Sequence, residues 1–224
     1  MHRRSGRSAP DRRCRPLQQP RGTVQRHPAG VAQRRWRPLM LTDKLSDNGL
    51  HWGLQALLGA LLLGGLGPIA LDMEGVLPLS LQSLLVCWIP LMLGWRAGGL
   101  AVVVYLLAGI AGLPVFADYR SGVEVIAGPT GGYLLGFPIV AFLLGLFADR
   151  VPGETPRQKY GWVALGMVAG HAVILAFGIP WQMRFDPTLD VTALVQTLAR
   201  PIALKSAMGT LLSVLVLRGV QGRA

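Results

Sequence analysis

Gly128-Pro129-Thr130-Gly131-Gly132-Tyr133-Leu134-Leu135-Gly136-Phe137-Pro138 opens an apolar segment that runs on to Ala148. Gly-Pro-Thr-Gly-Gly is a tight entry into a helix. Its glycines remove side chains, so that another helix or a ligand can approach the main chain. At the edge of a bilayer, irregular backbone is tolerated only where protein buries it or where it lines a cavity. The stretch therefore points to a ligand-facing site in a membrane protein. Five further apolar segments frame it, near 52–71, 78–95, 98–114, 161–180 and 200–217, and the segment that it opens is read as 131–148. Several fall short of the roughly 20 residues of a straight span, so flanking turns must contribute. Gly64, Gly65, Pro90, Gly109, Pro138 and Gly170 inside them are ordinary residues for membrane helices. The expected fold is an all-α membrane protein of six transmembrane helices.

Composition agrees with lipid rather than water. The chain is 51% hydrophobic and 15% charged, with a mean hydropathy of +0.44, against about 25% charged residues in soluble domains. The net charge of +11 belongs to the N-terminus: residues 1–38 hold eleven Arg and one acid, Asp11. With Pro10, Pro16, Pro20, Pro28 and Pro38 and no apolar pattern, residues 1–48 read as a basic, disordered extension. Its functional reading is contact with anionic lipid or nucleic acid. Trp36 is the one aromatic there, so no nucleic-acid partner is expected. Met40 is an alternative translation start, and no apolar core follows the arginines as a signal peptide requires. Residues 49–218 form the membrane domain and 219–224 a short tail.

Loop charges set an orientation. With the N-terminus inside, Lys44, Arg96, Arg150, Arg157, Lys159, Arg218 and Arg223 all lie on the cytoplasmic side, where positive residues accumulate. The opposite loops, 72–77, 114–130 and 181–199, hold most of the acids and the Gly-Pro-Thr-Gly-Gly turn. Both termini are then cytoplasmic, and the outer loops are the ones that an arriving ligand meets.

Few residues could carry chemistry. Lys205 lies one turn inside the last apolar segment, where an ionisable side chain usually faces a cavity or a partner; the alternative is a snorkelling lysine. Arg120 is a second cation, set between Asp118 and Glu124, where a local ion pair competes with a ligand role. Asp118, Glu124, Asp186 and Asp190 read as solvated loop charges. His171 reads as a residue hydrogen-bonded between helices. Trp181 is either an interfacial anchor or a flat wall for a ring-containing ligand. Ala56, Ala60 and Gly64 form a small-residue stripe at helical spacing, suited to close helix packing. Cys14 and Cys87 do not make a disulfide framework. No ATPase, zinc or nucleophile motif occurs, and His2, His27, His51 and His171 build no metal spacing. No catalytic dyad lies within the spans, which disfavours an intramembrane enzyme.

Gly112-Leu113-Pro114-Val115-Phe116 followed by the 128–137 stretch resembles the signature of BioY, the biotin-specific S component of energy-coupling-factor (ECF) vitamin transporters. Pro78-Leu79-Ser80-Leu81-Gln82-Ser83-Leu84, Gly170-His171 and Gly178-Ile179-Pro180-Trp181 support it, and the resemblance covers residues 50–217. It implies a six-helix, multi-pass protein of the cell membrane that captures biotin from outside and has no cofactor of its own. It implies as partners a membrane coupling protein and two ATPase subunits that hydrolyse ATP. It also implies that Ala56 and Ala60 face the coupling protein. The family's last helix usually carries an Asp three residues before its Lys; here Lys205 matches and Ile202 holds the Asp position. Isoleucine cannot accept the hydrogen bonds of a ureido N–H, which keeps another small vitamin open as the ligand. For biotin, the carboxylate wants a cation, Lys205 or Arg120. The ureido ring wants polar partners, which Thr130, Gln82 and the backbone of Gly128, Pro129, Gly131 and Gly132 offer. The thiolane ring and valeryl chain want apolar walls, such as Val115, Phe116, Tyr133 and Trp181.

Overall fold

The computed structural model describes residues 52–73, 76–151 and 155–221. The basic extension, Met40, Cys14 and the first three histidines lie outside the described residues. Helix α1 (Trp52–Leu66) leads through Gly67 and Pro68 into an antiparallel hairpin of β1 (Ala70–Met73) and β2 (Val76–Ser80), in which Ala70 pairs with Ser80 and Leu71 with Leu79. Helix α2 (Leu81–Ile110) follows, then a 3-10 turn (Ala117–Tyr119), the short α3 (Val123–Ala127), α4 (Gly131–Arg150), α5 (Pro156–Gln182) and α6 (Val191–Gln221). The bundle is all-α apart from that connecting hairpin.

Helix α2 is two expected segments joined by a very tight reversal. Gly94 has φ 77° and ψ −179°, outside the helical region, a conformation essentially confined to glycine. A Cβ on Gly98 would run into the Pro90 backbone, with the Pro90 side chain 3.0 Å away. Residues eight apart in a continuous helix lie about 12 Å from one another. The limb before Gly94 and the limb after it therefore double back on each other. With α1, α4, α5 and α6 they make the six long helical segments that the sequence leads one to expect.

The boundaries differ from the apolar windows for local reasons. Helix α1 stops at Leu66 rather than 71, because Gly67-Pro68 ends it. Ser80 caps α2, its side chain accepting from the Gln82 N–H at 3.2 Å. Thr155 and Gln158 form a capping box that starts α5 earlier than expected. Helix α6 begins at Val191, nine residues before its apolar window, because the Asp190 carboxylate accepts from the N–H groups of Thr192 (2.9 Å) and Ala193 (3.0 Å). Asp190 is thus a helix cap and not a free loop charge. Asp186 closes the turn before it, accepting from the Thr188 N–H and hydroxyl. At the far end α6 continues to Gln221, into the expected tail.

The core lies between α2 and the helices that pack on it, α1, α4, α5 and α6. Leu63, Val86, Cys87, Leu91, Val102, Tyr105, Val140, Ala141, Val163 and Met167 are buried there. The small-residue stripe of α1 faces this core: Ala56 is 1% exposed and Ala60 8%. A Cβ on the intervening Gly59 would sit 2.9 Å from Ala101 and 3.3 Å from Ile89. The placement of Ala56 and Ala60 toward a coupling protein is therefore corrected: small side chains let α1 approach α2 closely, and that approach covers them. The outward face of α1 is Leu54, Leu57, Leu58 and Leu61, and that of α6 is Leu204, Met208, Leu211 and Leu215. Such faces suit hydrocarbon. Four helices, α2, α4, α5 and α6, are long and apolar enough to cross a membrane, and the chain is a multi-pass membrane protein.

Polar bonds tie α6 to α2. The Trp88 indole N–H donates to Ser213 Oγ at 2.8 Å, and Lys205 Nζ donates to Ser83 Oγ at 3.0 Å. The reversal at Gly94 yields a direct test. Gly98→Ala is expected to lower the melting temperature of the detergent-purified protein by several degrees, since overpacking costs about 1–3 kcal/mol. Gly53→Ala, at a helical position where nothing lies within 4 Å, is expected to leave it unchanged or slightly raised.

Candidate functional site

A cavity of about 170 Å³ opens beside the Gly-Pro-Thr-Gly-Gly turn. Its polar lining is Ser80, Gln82, Ser83, Arg120 and Thr130; its apolar lining includes Phe116, Tyr133, Leu134, Phe137 and Ile174. The start of α2 supplies the polar floor. Ser80 is used up in part as the helix cap, and the buried Gln82 accepts from the Ala117 N–H at 3.0 Å, which draws the 114–122 loop over the cavity. Backbone bonds hold that loop down: Phe116 N–H to the Arg120 carbonyl, Asp118 N–H to Pro68, and Gly122 N–H to Gly109. Asp118 and Tyr119 both take φ 57° inside it, a left-handed conformation that costs a non-glycine residue energy. Phe116 is fully buried beneath the loop, edge-on to Tyr105 with ring centroids 5.8 Å apart.

The wall formed by α4 and α5 rests on two notches. Gly132 has no side chain where the Trp181 ring and the Phe177 carbonyl (2.7 Å from a Cβ) lie. Gly178 has none where the Tyr133 ring lies. Each ring thus sits against the other helix's backbone. Polar tips lock both: Trp181 Nε1–H donates to the Gly128 carbonyl at 2.9 Å, and the Tyr133 hydroxyl donates to Gln182 Oε1 at 2.8 Å. The glycines of the turn serve close packing of protein on protein. Thr130 lines the inner cavity, and Gly128 and Pro129 line a shallower depression outside it.

Two cations lie near the cavity. Arg120 sits at the mouth, where Nη2 donates to Thr130 Oγ1 at 3.4 Å. Among the described residues it makes no ion pair with Asp118 or Glu124, so the local-pair reading of Arg120 is corrected. Lys205 lies behind the floor, only 9% exposed. It does not line the cavity itself; Ser83, which accepts its hydrogen bond, does. Among the described residues no carboxylate pairs with it. Cys87 and His171 are within electrostatic reach of the ammonium group. His171 Nδ1–H donates to the Met167 carbonyl of its own helix at 2.7 Å, not across helices as expected. Its Nε2 and the Ser206 hydroxyl have no partner among the described residues.

Of the residues singled out in the sequence, Gln82, Phe116, Arg120, Thr130 and Tyr133 meet at one cavity. Trp181 does not line it; the indole is a strut for the turn, with Arg184 stacked 5.1 Å from its ring centroid. Val115 turns away, its carbonyl accepting from the Tyr105 hydroxyl and its side chain lying 3.2 Å from where a Cβ on Gly64 would be. Sequence reasoning missed Ser80, Ser83, Val125, Leu134, Phe137 and Ile174. The signal available for the first two was a run of polar residues, Ser80, Gln82 and Ser83, at the head of an apolar segment.

Comparison with known proteins places this architecture. The biotin transporter BioY of Thermotoga maritima is 41% identical over 105 residues, which are 47% of this chain and 59% of that one. The biotin transporter BioY2 of Lactococcus lactis is 33% identical over 135 residues, 59% of this chain and 69% of that one. The probable biotin transporter BioY of Methanothermobacter thermautotrophicus is 53% identical over 102 residues, 44% and 64% of the two chains. The chain spans about three fifths of the length of the Thermotoga relative. A crystal structure of the S-component for biotin from an ECF-type ABC transporter has the same fold, with a TM-score of 0.63 at 19% identity, covering 80% of this chain and 94% of that one. The family model for BioY matches residues 43–224, and this chain belongs to the BioY family.

Proposed function

We propose that this protein captures biotin from outside the cell as the substrate-binding S component of an ECF-type transporter. The observation that carries the reading is the cavity itself: an apolar slot closed by Phe116, Tyr133, Leu134 and Phe137, with Arg120 at its rim and Lys205 reaching its floor through Ser83. Biotin is a ligand of that pattern, an apolar body with a neutral polar ring at one end and a carboxylate at the other. Only a few convergent polar groups are needed in such a pocket. Arg120 and Lys205 are the proposed cations; Gln82, Thr130 and Ser83 are the proposed hydrogen-bonding partners. Lys205 is deeply buried with a neutral hydroxyl as its partner, so a ligand group that accepts from it recovers part of its desolvation cost.

The chain carries no cofactor in this reading, and biotin is cargo. The sequence holds no nucleotide-binding motif, so energy for transport comes from partner subunits, a coupling membrane protein and two ATPases. In this reading the chain crosses the membrane six times with both termini cytoplasmic, and the mouth at Arg120 and Thr130 faces outward. Ile202, half-buried one turn before Lys205, leaves the ureido N–H groups to other acceptors such as Gln82, Ser80 and Ser83.

Equilibrium binding of radiolabelled biotin to the detergent-purified protein tests the reading. The parent protein is expected to bind biotin, and Lys205→Ala to weaken it by about tenfold to a hundredfold, the worth of a hydrogen bond to a charged group. Displacement by a different small vitamin in preference to biotin would overturn the assignment of ligand. Trp181→Phe keeps the ring in the Gly132 notch and removes its bond to Gly128. It is expected to raise the dissociation rate of biotin about twofold to tenfold, measured by isotope chase.

A further inference from the structure

Outside the mouth lies a second, wider depression of about 370 Å³, lined by Tyr119, Arg120, Ser121, Glu124, Gly128 and Pro129. It shares Arg120 and Val125 with the inner cavity, so the two are neighbours on either side of these residues. The inner cavity is smaller than the roughly 300–1,000 Å³ of sites that enclose a drug-sized ligand. A ligand of biotin's size therefore fills it with one end and projects the other through the mouth. Phe116, Tyr133, Leu134 and Phe137 favour the rigid bicyclic ring inside, and the flexible valeryl chain then leads outward past Arg120. Burying the neutral ureido group also costs less than burying a carboxylate, which keeps its water at the mouth.

The depression holds both signs of charge with neither neutralised. Among the described residues Arg120 and Glu124 form no ion pair, and the Glu124 carboxylate lies folded back over Gly122. A carboxylate beyond the mouth repels the free acid of biotin, and so adds nothing to binding biotin alone. Opposite charges around an open, mixed-polarity surface fit a zwitterion.

We infer that this outer depression is a subsite for biotin joined through its carboxyl, as an amide, to an amino-acid head group. The inference rests on the biotin reading of the inner cavity. In such a conjugate Arg120 donates to the amide carbonyl or the terminal carboxylate, and Glu124 accepts from the α-ammonium group. No bond is made or broken; the conjugate is bound whole.

Competition against radiolabelled biotin tests it, with ε-biotinyl-lysine and biotinamide as probes. Biotinamide shares the neutral amide and lacks the head group. In the parent protein biotinyl-lysine is expected to displace biotin at least about threefold better than biotinamide, the worth of an exposed ion pair. In Glu124→Gln that advantage is expected to vanish, so that the affinity ratio of biotinyl-lysine to biotinamide falls to about one. Equal displacement by both amides in the parent, or an unchanged ratio in Glu124→Gln, overturns the subsite while the biotin assignment stands. Failure of the parent to bind labelled biotin overturns both.

Discussion

The interlock of Tyr133 and Trp181 across α4 and α5 is the contact from which the site follows. Two rings occupy the places where Gly178 and Gly132 lack side chains, so the helices approach to backbone distance. That approach fixes the start of α4 and, through the Trp181–Gly128 bond, the turn before it. Thr130 is thereby held at the rim, where Arg120 can reach it. In a membrane, helices gain little by hiding apolar surface from one another, and close packing with a few polar bonds must hold them. The paired notches supply both at once.

The opposite wall is built differently. Helix α2 carries the floor residues Ser80, Gln82 and Ser83 and is fixed by its own reversal at Gly94. Helix α6 is the least covered of the long helices, with 28% of its apolar window buried against 44–56% for the others. Its attachment depends on α5 packing and on the Lys205–Ser83 and Trp88–Ser213 bonds. The cavity thus lies beside one interlocked wall and near one less covered helix, held by its packing on α5 and by two polar bonds.

Much of this was legible in the sequence, for identifiable reasons. Apolar runs gave all six helical segments, and the Gly-Pro-Thr-Gly-Gly turn gave the region of the site, because both are local signals. Helix α6 was read short because its first turns carry Thr192, Gln196 and Thr197, which a hydropathy window rejects while Asp190 caps them all the same. Ser83 was passed over because a hydroxyl in an apolar run has no local meaning; its partner stands 122 positions away. Ala56 and Ala60 formed a visible stripe, but small residues permit close approach on either side, and only the packed bundle shows that α2 takes it. The glycines of the turn were read as making room for another helix or a ligand, and at Gly132 the room is filled by Trp181 of the neighbouring helix.

The loop over the cavity is pinned by backbone bonds at Phe116, Asp118 and Gly122 and by the Gln82 side chain, whereas the mouth itself is spanned by one long bond between exposed side chains, Arg120 and Thr130. Opening it requires no secondary structure to unfold. Exposed side chains exchange rotamers in picoseconds to nanoseconds, far faster than hinge or lid motions. In the proposed reading, entry at this face therefore meets no gate slower than that exchange. The association rate in that reading is set by how often a ligand arrives in a usable orientation, and residence time is decided behind the rim.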